Sequence, residues 1–177
     1  MKRLLLISVV LVLVASILAG CKKRGPLEIG DEVAPITLTG LNDETINLPG
    51  DYQGKVILVR FWSIDCHFCD KQILIALERF KERYKDRNFI PLAINEGPLT
   101  KDDSRLQPLL AQIGYPMAVD EYHSVARHFG VVALPVTFVI DEDGILRDKL
   151  TGEASMEEYE KLLTTILNKG VFYESGH

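Results

Sequence analysis

Two cysteines three positions apart, Cys66 and Cys69 in the segment FWSIDCHFCD, are the residues of this sequence best suited to chemistry. Such a pair can exchange electrons as a dithiol, supply half of a zinc site, or pack inertly in the core. The only other cysteine is Cys21, so no second pair is present to complete a four-ligand zinc site. His67 between the cysteines and Asp65 before them are polar, which disfavours inert packing. These residues predict a redox-active dithiol.

Histidines give little support for a metal site. His123 and His128 are five positions apart, a poor match for one face of a helix. Covalent haem attachment would require histidine directly after the second cysteine, where Asp70 stands. We therefore expect no metal ligands.

The two cysteines are predicted to have different roles. Positions i and i+3 at the start of a helix lie on one face, close enough for a disulfide. The first sulfur would lie near unpaired backbone N–H groups, which stabilise a thiolate, and the second would lie one turn inward. Cys66 is therefore predicted to be the nucleophile and Cys69 the resolving thiol.

The amino terminus differs from the rest of the chain. Lys2 and Arg3 precede an apolar run over residues 4–18, which small residues follow. The run is short for a membrane span, and this layout is typical of a secretory signal. The alternative is an uncleaved anchor helix.

The LAGC sequence that ends at Cys21 resembles the lipobox of bacterial lipoproteins, in which cleavage before the cysteine is coupled to lipid attachment on its sulfur. The resemblance predicts a signal peptide over residues 1–20 and a lipid on Cys21. A basic linker over residues 21–30 would favour anionic headgroups by about 1 kcal/mol per charge. The folded part is then expected outside the cytoplasm, anchored to a membrane.

The composition suits one well-buried domain. The chain has 177 residues, of which 47% are hydrophobic and 25% are charged, which excludes a disordered or polytopic membrane protein. A net charge of -5 without a basic patch gives no attraction for nucleic acid. We predict a domain over residues 31–170 and a tail over residues 171–177.

Alternating strands and helices are predicted around the dithiol. Runs of β-branched and apolar residues indicate strands, and apolar residues every three or four positions indicate helices. The predicted strands are 36–39, 45–48, 55–62 and 88–95, the helices are 66–86, 104–113, 122–129 and 157–168, and a hairpin occupies 136–152. This order predicts an α/β fold, with a mixed central β-sheet, helices on both faces and an N-terminal β-hairpin.

Two segments resemble the signatures of a known family. FWSIDCHFC is similar to the FWxxWCxxC segment of thioredoxin-like proteins, and LPVTFVIDEDG over residues 134–144 resembles their second signature. The preceding GDEVAPITLTGLNDETINLPGDYQGKVILVRFW is similar to the TlpA/ResA group of membrane-anchored thioredoxin-like proteins. The likeness covers residues 28–168 and implies a thioredoxin-like fold. It also implies a cis peptide bond before Pro135, opposite the dithiol, and a backbone at Leu134 that pairs with a client as an added strand.

The resemblance further implies an extracytoplasmic thiol–disulfide oxidoreductase. Its relatives usually reduce disulfides of exported client proteins, often apocytochrome c, and a membrane thiol protein supplies the electrons. No tightly bound cofactor is implied, and we expect a monomer. We assign client binding to four residues: Trp62, His67, Leu134 and Pro135.

Several positions depart from the family pattern. Asp65 replaces an aromatic residue and opposes the Cys66 thiolate, whereas His67 acts the other way when protonated. Arg60 stands where thioredoxins carry a buried acid. Glu96 lies near the place of a glutamate that moves protons for the inner thiol, so we predict a catalytic role for it, the alternative being a solvated loop acid. A half-buried Arg60 requires a carboxylate partner, and we predict that it points towards Glu96.

Two other functions remain open. A peroxiredoxin-like peroxidase of the AhpC/TSA type shares the amino-terminal segment, and it would place a proline and a threonine or serine before its cysteine. Ser63 is present, but Val59 stands where the proline would be. A copper-delivery protein of the Sco type would have one more residue between its cysteines and a distal histidine ligand, for which His123 and His128 are the candidates.

Overall fold

A mixed β-sheet forms the centre of the protein in the computed structural model, which describes residues 25–168. Its central strand, VILVRFW, is buried along its whole length, as expected for a strand covered on both faces. The strands are β1 (Ile36–Gly40), β2 (Thr45–Leu48), β3 (Val56–Trp62), β4 (Phe89–Glu96), β5 (Met117–Asp120), β6 (Val136–Ile140) and β7 (Leu146–Thr151).

The described strands form a seven-stranded sheet in the order β2-β1-β5-β4-β3-β6-β7. β3, β4 and β5 run parallel, whereas β6 is antiparallel to β3 and β7 is antiparallel to β6. β1 pairs antiparallel with β2, which confirms the predicted N-terminal hairpin. The carboxyl ends of β3, β4 and β5 therefore meet the start of β6 at one edge of the sheet. We call it the dithiol edge, because the chain leaves β3 there towards Cys66.

Helices cover both faces of this sheet. They are α1 (Lys71–Arg83), α2 (Gln107–Leu110), α3 (Ser124–Phe129) and α4 (Met156–Leu167), and single 3₁₀ turns occupy Gly50–Tyr52 and Lys85–Arg87. The apolar faces of α1, α2 and α4 pack with Leu58 and Trp62 of β3 in one core cluster. The apolar face of α3 packs with Phe61 in a second cluster on the other side. The predicted mixed sheet with helices on both faces is confirmed.

Local chemistry explains where the longer helices begin and where α3 ends. At the start of α1, the Gln72 N–H donates to the Asp70 side chain over 2.8 Å. At the start of α4, Ser155 and Glu158 form a capping box. Gly130 ends α3 in the left-handed region, with φ of 66°. The end of α3 at Gly130 agrees with the prediction.

Three elements differ from the sequence-based prediction. β5 was not predicted, since its four residues gain their strand conformation by pairing with β4 and β1. The helix predicted over residues 66–86 begins only at Lys71, because Asp70 takes the N-cap position. The helix predicted within residues 104–113 is a single turn with Pro108 near its start.

Several predictions fall outside the described residues. These are the signal peptide over residues 1–20, the lipid on Cys21 and the tail over residues 171–177, and the linker over residues 21–30 is described only from residue 25. Within residues 25–168, no helix is long and apolar enough to cross a membrane.

Candidate active site

The two cysteines form a disulfide in the loop between β3 and α1. Their Cα atoms are 5.4 Å apart. Cys69 is only 5% exposed and packs in the core cluster that contains Trp62. Cys66 is partly exposed. Because Cys66 is the sulfur nearer the surface, it is the one that a second disulfide can approach.

The cysteines precede the helix and do not lie on one of its faces. Asp70, in extended conformation with ψ of 113°, separates Cys69 from the first residue of α1. A turn leads into the first cysteine, because the Cys66 N–H donates to the Ser63 carbonyl over 3.1 Å. The predicted placement of both sulfurs in the first helical turn is therefore wrong. Cys66 lies before the N-cap residue Asp70, so the predicted stabilisation of its thiolate by the first turn of α1 is not supported.

A buried asparagine fixes the loop that leads from β3 to the dithiol. Asn95 near the end of β4 is fully buried. Its Oδ1 accepts from the Ile64 N–H over 2.8 Å, and its Nδ2 donates to the Gly97 carbonyl over 2.9 Å. It thereby ties the loop before Cys66 to the neighbouring strand. A polar residue at the end of a buried strand was the sequence signal that could have identified it.

The second signature lies at the same edge of the sheet. The peptide bond between Leu134 and Pro135 is cis, as the resemblance implied. β6 begins directly after Pro135, and Val136 pairs with Phe61 of β3, which places Pro135 at the dithiol edge. Leu134 is partly buried, and its backbone N–H and C=O make no hydrogen bond with another residue in the described part of the chain.

The predicted client-binding residues differ in exposure. Trp62 is fully buried, so it packs beneath the dithiol and presents no surface to a client. His67 is exposed. The exposed large apolar side chains of the described residues include Phe68 between the cysteines, at 82%, and Val132 before the cis-proline, at 93%. Neither was predicted to bind a client.

The predicted pair of Arg60 and Glu96 does not form. Arg60 pairs in register with Ala93, so Glu96, three residues further along β4, points to the opposite face of the sheet. The fully buried Arg60 guanidinium instead binds Glu153, with Nη2 to Oε2 at 2.8 Å. It also donates from Nη1 to the Tyr159 hydroxyl over 2.7 Å. The expectation of a carboxylate partner was right, but the partner was wrong.

Glu96 has a histidine partner at the end of β4. Its Oε2 lies 2.6 Å from Nδ1 of His123, and the Glu96 side chain is 9% exposed. Burial raises the pKa of Glu96 above its ordinary value, although the hydrogen bond and charge of His123 act against this. The catalytic role of Glu96 stays a prediction. Within residues 25–168, no group of three His, Cys, Asp or Glu side chains is arranged to hold a metal ion.

Asp65, which precedes the outer cysteine, has a basic partner. Its Oδ1 lies 2.5 Å from Nη1 of Arg105, which also binds Asp103 over 2.6 Å. Asp65 and Arg105 are both exposed, so this pair adds little to stability. Arg105 nevertheless counters the charge that Asp65 places beside the Cys66 thiolate.

Comparison with known proteins agrees with this arrangement. Residues 29–149 match the model of the AhpC/TSA family. Over 146 residues, covering 81% of this chain and 82% of the relative, the sequence is 28% identical to a protein of Bacillus thuringiensis subsp. konkukian named thiol-disulfide oxidoreductase ResA.

Solved structures share the fold. A putative thiol:disulfide interchange protein DsbE from Chlorobium tepidum matches with a TM-score of 0.67 at 25% identity, covering 80% of this chain and 99% of that one. Mycobacterium bovis AhpC matches with a TM-score of 0.66 at 18% identity, covering 86% and 99%, a likeness of fold alone. The predicted thioredoxin-like fold is confirmed.

Proposed function

The chain belongs to the AhpC/TSA family and is a thioredoxin-like thiol–disulfide oxidoreductase, and we propose that it reduces disulfides of exported client proteins through Cys66 and Cys69. The observation that carries this proposal is the unequal exposure of two sulfurs that form one disulfide. Cys66 is partly exposed, whereas Cys69 is 5% exposed. An outer sulfur can attack a client while the inner sulfur stays shielded.

The reaction transfers two electrons from the dithiol to the client. The Cys66 thiolate attacks one sulfur of the client disulfide, and the other client sulfur leaves as a thiolate that takes a proton from water. Cys69 then loses its proton and attacks the Cys66 sulfur of the mixed disulfide, releasing the second client thiolate. The client ends as a dithiol, and the protein ends with the Cys66–Cys69 disulfide.

A client segment would bind beside the cis-proline as an added strand. The N–H and C=O groups of Leu134, which have no partner in the described part of the chain, are available for such pairing. Phe68, between the cysteines, and Val132, two residues before Leu134, are exposed and would contact apolar residues of the client. Pro135 and His67 complete the surface that we assign to client binding.

The protein must be reduced again after each turnover. We assign this step to a membrane thiol protein, whose own dithiol would become a disulfide as Cys66–Cys69 opens. Apocytochrome c, whose haem-binding cysteines must be reduced before attachment, is the client class that the TlpA/ResA resemblance supports. A lipid on Cys21 would keep the enzyme on the outer side of a membrane, where both partners are exposed.

A peroxidase is the second candidate, favoured by the family match. Cys66 would attack the peroxide, giving a sulfenic acid and an alcohol or water. Cys69 would then condense with the sulfenic acid, releasing water and forming the same disulfide. Val59, fully buried in β3, stands where the peroxidases carry a proline, which speaks against this candidate. Peroxide consumption no faster than in Cys66→Ser would exclude it.

Trapping of clients tests the proposed function. Cys69→Ser leaves the nucleophile without a resolving thiol, so mixed disulfides with clients should accumulate through Cys66. The matched variant Cys66→Ser should trap nothing, because the remaining sulfur is buried. The measurement is non-reducing electrophoresis followed by mass spectrometry of the adducts. Equal trapping by both variants would contradict the assigned roles, and adducts in neither would contradict the function.

A further inference from the structure

An ionic network links the buried Arg60, in the central strand, to the loop that holds the dithiol. The Arg60 side chain is completely buried, with 0% of its surface exposed to solvent. Its guanidinium binds Glu153 and the Tyr159 hydroxyl, which in turn lies 2.8 Å from Oγ1 of Thr137. Arg60 Nε is buried and has no hydrogen-bond partner in the described part of the chain. Glu153 and Tyr159 therefore accept only from the two terminal nitrogens of the guanidinium.

Glu153 connects this network to the inner cysteine. The Oε2 atom that binds Arg60 also accepts from the Asp70 N–H over 2.7 Å. The Asp70 nitrogen is bonded directly to the carbonyl carbon of Cys69. The carboxylate of Glu153 thus holds the peptide bond that follows the resolving thiol. Glu153 reaches this place because β7 ends at the dithiol edge, two residues before it.

We propose that Arg60 and Glu153 form a positioning pair for Cys69, in which the buried guanidinium favours the inner thiolate and the carboxylate offsets that charge while holding the adjoining peptide. The proposal deepens the proposed function and rests on it for the role of Cys69. In this chain, the buried cation of Arg60 stands where thioredoxins carry a buried acid. Glu153, distant in sequence, supplies the compensating carboxylate.

The two charges act on the reduced state in opposite directions. A cation near a thiol favours its thiolate, and a carboxylate disfavours it. Stabilising the thiolate stabilises the dithiol relative to the disulfide, which makes the pair more oxidising. Arg60 is fully buried and therefore weakly screened, whereas the Glu153 side chain is 30% exposed. Glu153 thus keeps the pair a reductant by offsetting the charge of Arg60.

Charge removal at each position separates this role from a structural one. Glu153→Gln keeps an oxygen that can accept from the Asp70 N–H but leaves Arg60 uncompensated. We expect it to shift the equilibrium with glutathione about tenfold towards the dithiol, ~30 mV for a two-electron couple. Arg60→Met should shift it towards the disulfide, and the double variant should return close to the original value.

The measurement is the ratio of dithiol to disulfide across glutathione buffers, read by alkylation and mass spectrometry. Glu157→Gln, which neutralises an exposed acid in the first turn of α4, is the control and should leave the ratio unchanged. If Arg60→Met does not fold, Glu153→Gln alone decides. No shift in Glu153→Gln, or a shift towards the disulfide, would overturn the proposal. Reduction of insulin by the wild-type dithiol is measured separately, so its absence would count against the function and not against the pair.

Discussion

Glu96 combines one carboxylate oxygen bound to His123 with a second that is buried and has no hydrogen-bond partner among the described residues. Burial, the largest influence, raises the pKa of Glu96 above 4.5, against the opposing effect of His123. The folded protein therefore holds a proton at Glu96 more tightly than the unfolded chain does. This contribution to stability is complete below pH 4.5 and is lost as pH rises through the raised pKa.

Replacing Glu96 by glutamine should remove this loss of stability at rising pH. We expect the free energy of unfolding of Glu96→Gln to fall less than that of the wild type as pH rises above 4.5. The measurement is urea unfolding at a series of pH values. Glu121→Gln, an exposed acid directly after β5, is the control and should keep the wild-type pH profile. Parallel profiles for Glu96→Gln and the wild type would contradict the prediction.

The same variant tests the proposed catalytic role of Glu96. If Glu96 takes the proton of Cys69, Glu96→Gln should slow resolution of a mixed disulfide with glutathione by about tenfold or more. Formation of that mixed disulfide through Cys66 should change little. Stopped-flow kinetics of the two steps would show the difference, and unchanged resolution would remove Glu96 from the reaction.

The partner of Arg60 shows how far residue-level prediction reaches. The need of a buried guanidinium for a carboxylate follows from charge solvation, so it could be predicted from the sequence. Side-chain alternation along β4 also excludes Glu96, since the register places Arg60 beside Ala93. Glu153 could not be predicted, because it lies 93 positions from Arg60 and its place depends on where β7 ends. Contacts of this range depend on the whole sheet.

The hairpin formed by β6 and β7 depends on one buried acid. Oδ1 of Asp141 accepts from the N–H groups of Asp143 and Ile145 over 3.0 and 2.9 Å, and its Oδ2 binds Arg147. Burial alone would raise the pKa of Asp141, but these hydrogen bonds and Arg147 hold it below 3.8. The resulting stability is present above pH 3.8 and is lost as pH falls through the lowered pKa.

Asp141→Asn should weaken this hairpin in a pH-dependent way. The amide keeps an acceptor for the turn but loses the charge that binds Arg147, at a cost of about 1–3 kcal/mol at pH 7. The difference from the wild type should shrink as pH falls below 3.8. Asp143→Asn, at an exposed position of the same turn, is the control. Denaturant unfolding measures both, and a difference that is constant with pH would show that charge is not the cause.

Elements with a strong local pattern could be predicted, and those defined by their neighbours could not. The four residues of β5 are held between β1 and β4, and no local alternation marks them as a strand. The start of α1 was missed for a different reason. The apolar spacing continues through the cysteines, but Asp70 caps the helix after them.

At the scale of the whole molecule, the dithiol and the groups predicted to act with it lie at one edge. The disulfide, the cis-proline and the Glu96–His123 pair all lie where β3 and β4 end and β6 begins. The two family signatures predicted the dithiol and the cis-proline at this edge because each signature is a short, continuous segment, whereas neither contains Glu96 or His123. What they did not predict is the support beneath it, since Asn95 and Glu153 come from other parts of the chain.

Residues 30–33 of the amino-terminal segment are attached at the opposite edge. The Gly30 N–H donates to the Leu146 carbonyl over 2.8 Å, and the Val33 N–H donates to the Gly144 carbonyl over 2.9 Å. Gly144 lies in the turn between β6 and β7, which is the end of these strands remote from the dithiol. The Leu27 N–H, nearer Cys21, donates to the His128 carbonyl of α3 over 3.3 Å, and none of these contacts involves Cys66 or Cys69.

Loss of the lipid should consequently change location without changing chemistry. We expect Cys21→Ser to move the protein from the detergent phase to the aqueous phase, with disulfide reduction and unfolding unchanged, because Cys66 and Cys69 form their own pair. Replacing Lys22 and Lys23 by glutamine should keep the lipid but weaken retention on anionic vesicles by about 1 kcal/mol per charge. Phase partition, lipid labelling and vesicle sedimentation measure these effects. A lipid-labelled, membrane-bound product from Cys21→Ser would contradict the proposed anchor, since the sulfur that should carry the lipid would then be absent.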